Sequence, residues 1–298
     1  MKHLSLLTTA ILAATLVAAA LFTFKTHKPE LKPELKPEMV AIPSGSLILG
    51  SCKQQNCLSP PVDTEATSDD LPQSQARIAA FELGKTEVTV GQFAEFVRDT
   101  AYRSDAEKNI GEQGCRVWTE TGWHWQAGLS WKNPGFLQNE NHPVVCVSQS
   151  DAVTYTQWLS QKTGKNYRLP SEFEWEYAAR GGKNSPRYWG NDPNTACSHA
   201  NVADQSAKEN LPNFTKKVIH LCTDNYIYTA PVERYAANAY QLHDMLGNVW
   251  EWTTQEEFVA RGGGWLSSPQ FARVTSRSHN PFEMRNVAIG FRVARTLP

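Results

Sequence analysis

The chain lacks any imbalance of charge. It carries 29 Lys and Arg against 30 Asp and Glu, a formal net charge of -1 at pH 7, and no run of basic residues. That weighs against a nucleic-acid partner, whose binding site would show as a basic patch or stripe. It has no Cys-x-x-Cys pair and no Cys/His cluster at zinc-ligand spacing, which argues against a structural zinc site. No cysteine precedes Cys52, so nothing indicates a lipid-anchored N-terminus, and none follows Cys222. Past residue 39 no linker-like composition interrupts the chain, so one α+β domain over 39–298 fits better than two. Helical periodicity is scarce beyond Gly182.

The apolar residues begin with a run from Leu4 to Phe24, behind Lys2 and His3, with Val17-Ala18-Ala19-Ala20 as a small-residue cleavage candidate. Residues 1–25 therefore read as an export signal. The run is also long enough to span a bilayer, so a retained N-terminal membrane anchor is the alternative. Residues 26–38 repeat Lys-Pro-Glu and form a semi-stiff linker. The expected location is periplasmic or otherwise extracytoplasmic. Six cysteines in an exported chain predict disulfides. Six cysteines allow 15 pairings. Cys52 with Cys57, Cys115 with Cys146 and Cys197 with Cys222 are the simplest.

Ten Trp and nine Tyr mark the chain, and the strongest motif is aromatic and acidic together. It runs Asp244-Met245-Leu246-Gly247-Asn248-Val249-Trp250-Glu251-Trp252. Asp244 and Glu251 flank a Gly-containing turn, and carboxylate oxygens with turn carbonyls suit a hard cation such as calcium. Three helix starts are legible from capping chemistry: Thr89 with Gln92, Ser148 with Asp151, and Ser171 with Glu174. The helices should end near Asp99, at Gly164 and at Gly181-Gly182. Glu172, Glu174 and Glu176 are acids in number enough for catalysis, but such residues more often cap helices or pair with arginines. Strands are expected at 39–50 around a Pro-Ser-Gly turn, at 78–83 and at 289–294, with a long loop over 51–76 and an aromatic-pinned insert over 101–145.

Taken in order, several segments resemble the formylglycine-generating enzyme (sulfatase-modifying factor) family. They are Lys85-Thr86-Glu87-Val88-Thr89, His142-Pro143-Val144, Arg168-Leu169-Pro170-Ser171-Glu172-Phe173-Glu174-Trp175, Gly247-Asn248-Val249-Trp250-Glu251-Trp252, Arg261-Gly262-Gly263 and Gly290-Phe291-Arg292. The resemblance implies a C-type-lectin-like fold, a single domain with little regular secondary structure. It implies calcium at Asp244, Gly247, Val249 and Glu251, where the family usually has Asn in place of Asp244. It implies a second calcium at Asn201, Val202, Asp224 and Tyr226. The family's oxidase centre holds Cu(I) on two cysteines, and soft thiolates suit that ion. Here those positions are Ser267 and Ala272, and Gly264 replaces the motif serine, so no copper is expected.

Three functions remain in view. The first is a non-catalytic binding, regulatory or accessory protein that holds a periplasmic protein or peptide, for example one of a secretion system or a periplasmic reductase. The second is another enzyme in the same cleft, such as a periplasmic oxidoreductase or maturation enzyme. The third is formylglycine generation by a rearranged centre. The expected working surface comprises Trp265, Arg273, Arg277, His279, Phe282 and Arg285, since aromatics with arginines commonly anchor a binding patch. Glu283 is the single carboxylate over 264–288.

Overall fold

A computed structural model describes residues 36–297 apart from 54–56, 59–62, 71–72, 215–216 and 255–257. The expected signal or anchor over 1–25, and linker residues 26–35, lie outside the described residues.

In chain order the elements are β1 (Met39–Ile42), β2 (Gly45–Leu49), β3 (Ser74–Ile78), β4 (Phe81–Gly84), α1 (Val90–Thr100) and α2 (Asp105–Lys108). The hairpin β5 (Cys115–Thr119) and β6 (Gly122–Gln126) follows, then α3 (Gln149–Thr163), β7 (Tyr167–Arg168) and α4 (Glu172–Arg180). The second half holds α5 (Gln205–Asn210), β8 (Trp250–Trp252), β9 (Val259–Arg261), β10 (Arg277–His279), β11 (Ile289–Gly290) and β12 (Ala294–Thr296). The fold is the expected α+β one: long loops joined by small sheets.

The three expected capping boxes are all present, at Thr89, Ser148 and Ser171. Each hydroxyl satisfies an N–H that the first helical turn leaves without a partner. Gly164 and Gly181 end α3 and α4 in the left-handed conformation, which costs glycine little.

The strands differ from expectation in a consistent way. The stretch expected as one strand over 39–50 is two, divided at Pro43-Ser44. The one over 78–83 divides at Ala79-Ala80, because β3 pairs with β2 while β4 pairs with β1 and β12. The one over 289–294 divides at Phe291–Val293, because β11 runs parallel to β8 while β12 joins β4 and β7. In each case the chain leaves one sheet for another, and apolar patterning does not mark where. One sheet has the order β1-β4-β12-β7, the other β10-β9-β8-β11. α5 was also not legible. It has six residues, an Asp204 cap and one buried side chain, Ala207.

Aromatic rings fill the core between α1, α3 and the C-terminal segment. Phe93 meets Phe96 at 5.3 Å and Tyr155 meets Phe291 at 5.4 Å between centroids, both edge to face, an arrangement favoured by the ring quadrupoles. The simplest cysteine pairing is the one formed: Cys52–Cys57, Cys115–Cys146 and Cys197–Cys222. Denatured protein should therefore show no reactive thiol before reduction and six after it. Replacing Cys115 and Cys146 together by serine opens a loop with a sequence separation of 31 and should lower stability by about 3–4 kcal/mol in urea denaturation.

Candidate functional site

The turn expected to bind calcium is held from below by Leu242, Met245 and Leu246, all fully buried. Asp244 and Asn248 both have positive φ, at 55°. Gly247 has φ +80°, and a Cβ there would lie 2.3 Å from the carbonyl oxygen of Asn201. No other residue fits that position. Gly247→Ala should lower stability by roughly 2–4 kcal/mol through strain and overpacking, read as a shifted denaturation midpoint with an unchanged slope.

Asp244 is 1% exposed. Its Oδ2 accepts from the Glu233 N–H at 2.8 Å, and its Oδ1 is buried with no hydrogen-bond partner. Glu251, on β8, accepts from Trp175 Nε1 at 2.7 Å and from Arg292 Nε and Nη2, each at 2.7 Å. Glu87 stands behind them, 1% exposed, with both carboxylate oxygens unpartnered. Burial, with Asp244 as the next cause, pushes the Glu87 carboxyl well above the usual range. Burial also raises Asp244 to about 6. Three carboxylates facing one guanidinium would, when ionised, leave two negative charges in a buried pocket. Uncompensated buried charge is strongly unfavourable. Orphaned hard oxygens carrying that charge suit a divalent, oxygen-seeking ion, so the residues fit calcium. Glu87 was missed as a site residue. Its five-residue motif served only as a family marker, and nothing in its spacing places it beside Asp244.

The second expected set is also brought together. Asp224 accepts from the N–H groups of Val202 at 2.9 Å and Tyr226 at 2.8 Å. Asn201 donates to the Tyr228 carbonyl at 2.8 Å, while its Oδ1 is buried and unpartnered. Burial, helped by neighbouring Asp204, raises Asp224 to about 7. Cys197, Asp204 and Asp224 have donor atoms within 4.8 Å of one another. Cys197 is bonded to Cys222, so its sulfur is not a thiolate ligand. The two sets share a wall: the Asn248 N–H donates to the Asn201 carbonyl at 2.7 Å, and Asn201 Nδ2 donates to Asn248 Oδ1 at 3.2 Å.

Beyond the first turn opens a cleft of about 490 Å³. Its walls come from β5 and β6 (Arg116, Trp118, Trp123), β8 (Trp250), the 266–271 turn and the 277–289 segment. Ser267 lines it. Its Oγ accepts from the Gly264 N–H at 2.9 Å. Ala272 is fully buried and offers no donor atom. Among the described residues every cysteine is in a disulfide. A hydroxyl already engaged with backbone, beside a methyl, does not fit Cu(I), which needs soft donors.

The expected working surface needs correction. Trp265, Arg273 and Arg285 are buried, not displayed. Trp265 donates to the Val287 carbonyl at 3.0 Å. Arg273 bridges Asp63 and Asp70, each at 2.5 Å, and so fastens the chain around those two residues ahead of β3. Arg285 donates to the carbonyls of Gly114 and Glu283, both at 2.8 Å. Arginine is buried here because carboxylates and carbonyls satisfy its fork. Arg277 and His279 do line the cleft. Phe282 lies outside its lining, 53% exposed, with its ring against Phe258. Glu172 pairs with Arg261 and Arg277, Glu174 with Arg168, and Glu176 with Arg180 and Arg261. They are the caps and ion-pair partners that such acids most often are. Glu283 packs its side chain against Gly111, and no carboxylate is among the described lining of the cleft.

A family profile described as sulfatase-modifying factor enzyme 1-like domain matches residues 24–297. The formylglycine-generating enzyme of Thermomonospora curvata is 36% identical over 236 residues, 72% of this chain and 70% of that protein. The inactive C-alpha-formylglycine-generating enzyme 2 of Bos taurus is 29% identical over 300 residues, 89% of this chain and 90% of its own. The solved structure of PvdO from Pseudomonas aeruginosa superposes with a TM-score of 0.68 at 28% identity, covering 88% of this chain and 95% of PvdO. The chain belongs to the formylglycine-generating enzyme (sulfatase-modifying factor) family.

Proposed function

We propose that this chain is an exported, calcium-stabilised binding protein that holds a protein or peptide partner in the cleft around Ser267 and lacks the family's copper oxidation. The observation that carries the reading is the cleft itself. It has an open volume of about 490 Å³ and is lined by Ser267, yet Ser267 and the nearby Ala272 supply no soft ligand, and among the described residues no lining carboxylate supplies a base. Arg116, Trp118 and Trp123 give it the residue types of a binding patch instead. Export and a periplasmic location are supported by three disulfides, which persist in oxidising compartments. Calcium is supported by the orphaned oxygens of Asp244, Asn201 and Glu87.

Purified protein incubated with Cu(I), oxygen and a Cys-x-Pro-x-Arg peptide should form no aldehyde above the no-enzyme control by mass spectrometry. Aldehyde above that control would replace binding by catalysis. Immobilised protein should retain a periplasmic partner that Phe271→Ala loses, since Phe271 lines the cleft at 42% exposure.

A further inference from the structure

We propose that the cleft around Ser267 selects an organic anion joined to a flat aromatic ring, an inference resting on the reading of that cleft as a binding site. The charge of the lining is one-sided. Arg116, Lys217, Arg277 and His279 line it, and no Asp or Glu does among the described residues. Arg277 shares its charge with Glu172. Arg116 and Lys217 are placed differently. The Arg116 guanidinium lies 5.9 Å from the ring centroid of Trp123, and Lys217 Nζ lies 4.7 Å over Trp118. These indoles touch edge to face at 5.7 Å, so the two cations rest on neighbouring rings of one hairpin.

An indole face orients a cation without neutralising it. The positive charge therefore remains for whatever enters, in a concave site where low-dielectric walls focus it. The rest of the lining mixes apolar side chains, with Phe214, Trp250 and Phe271 supplying rings, and polar serines and asparagines, Ser267, Asn280 and Asn286 among them. Ring faces and edges of this kind receive another ring in offset or edge-to-face contact. The volume lies within the range of small-molecule sites. A basic segment such as the arginine end of Cys-x-Pro-x-Arg meets like charge here. The anion and the ring can belong to one small aromatic acid, or to adjacent acidic and aromatic side chains of a peptide.

The test is calorimetric titration of the full-length protein with matched probes. One set is 2-naphthoate, its neutral amide 2-naphthamide and ring-less cyclohexanecarboxylate. The other is the peptides acetyl-Gly-Glu-Phe-Glu-Gly-amide, its Gln-for-Glu counterpart and its Lys-for-Glu counterpart. An acid is expected to bind at least about tenfold tighter than its neutral partner, with the gap narrowing at high salt. Arg116→Gln with Lys217→Gln should abolish the preference while the melting curve stays in place. Arg234→Gln, an exposed arginine outside the lining, should retain it. Preference in the peptide set alone assigns the ligand to a chain segment, and in the naphthoate set alone to a small acid; either supports the proposal. Equal binding of acid and neutral partner, preference surviving in the double variant, cyclohexanecarboxylate matching 2-naphthoate, or no binding at millimolar probe overturns it. Partner retention that depends on Phe271 but shows no acid preference would overturn this inference and leave the binding reading intact.

Discussion

Arg292→Met is expected to lower stability by about 3–5 kcal/mol, the largest effect of any single exchange considered. Arg292 is fully buried. It makes two bonds to Glu251 and also donates to the carbonyls of Gly84 at 3.0 Å and His243 at 2.9 Å. Methionine replaces only its aliphatic stem and returns none of those donors, and it leaves Glu87, Asp244 and Glu251 without the guanidinium. Arg292→Lys should recover part of the loss, since it restores charge but not the planar fork. Urea denaturation followed by tryptophan fluorescence measures both. A loss under about 1 kcal/mol for the methionine variant would mean that the buried carboxylates do not depend on Arg292.

Chelation should lower the melting temperature by roughly 5–10 °C. A cation that binds only the folded state stabilises it by about 2.7 kcal/mol at a hundred times its dissociation constant. In a domain of this size each kcal/mol moves the midpoint by about 2–4 °C. Asp244→Ala should abolish the response of the first site, because it removes the orphaned oxygen and one backbone acceptor but no ion pair. Glu251→Ala is a poor probe of the metal. Glu251 also receives Trp175 and Arg292, so its loss destabilises the fold with or without calcium. An unmoved wild-type melting curve, joined to metal analysis that finds no calcium, would end the calcium reading. An equal response in wild type and Asp244→Ala would place the ion at Asn201 and Asp224.

What the sequence made legible follows from the range over which each signal acts. Capping at Thr89, Ser148 and Ser171 is chemistry within four residues, so it survives without any knowledge of the fold. The turn from Asp244 to Glu251 is legible for the same reason. Strands of two to five residues carry too few alternations to show a period, and their breaks are set by partners far along the chain. Arg273 and Arg285 were expected on the working surface because arginines beside aromatics commonly anchor a binding patch. Their partners Asp63, Asp70, Gly114 and Glu283 are known only once the loops are in place. Glu87 and Asp204 were invisible as site residues on the same ground. Glu87 lies far in sequence from Asp244 and Glu251, and Asp204, though two residues from Val202, meets Asp224 20 residues on.

The position of β12 bears on how such a chain can come to be folded. β12 lies inside its sheet, paired on one side with β4 and on the other with β7, and Arg292 lies two residues before it. A chain emerging N-terminus first, from a ribosome or across a membrane, holds β1 and β4 long before the strand that joins them to β7. Any fragment ending before Ala294 has two half-sheets with open edges, and one ending before Arg292 also keeps buried carboxylates with no guanidinium. This sheet therefore cannot close until Ala294–Thr296 are available to pair. Until then exposed strand edges leave the chain prone to aggregate.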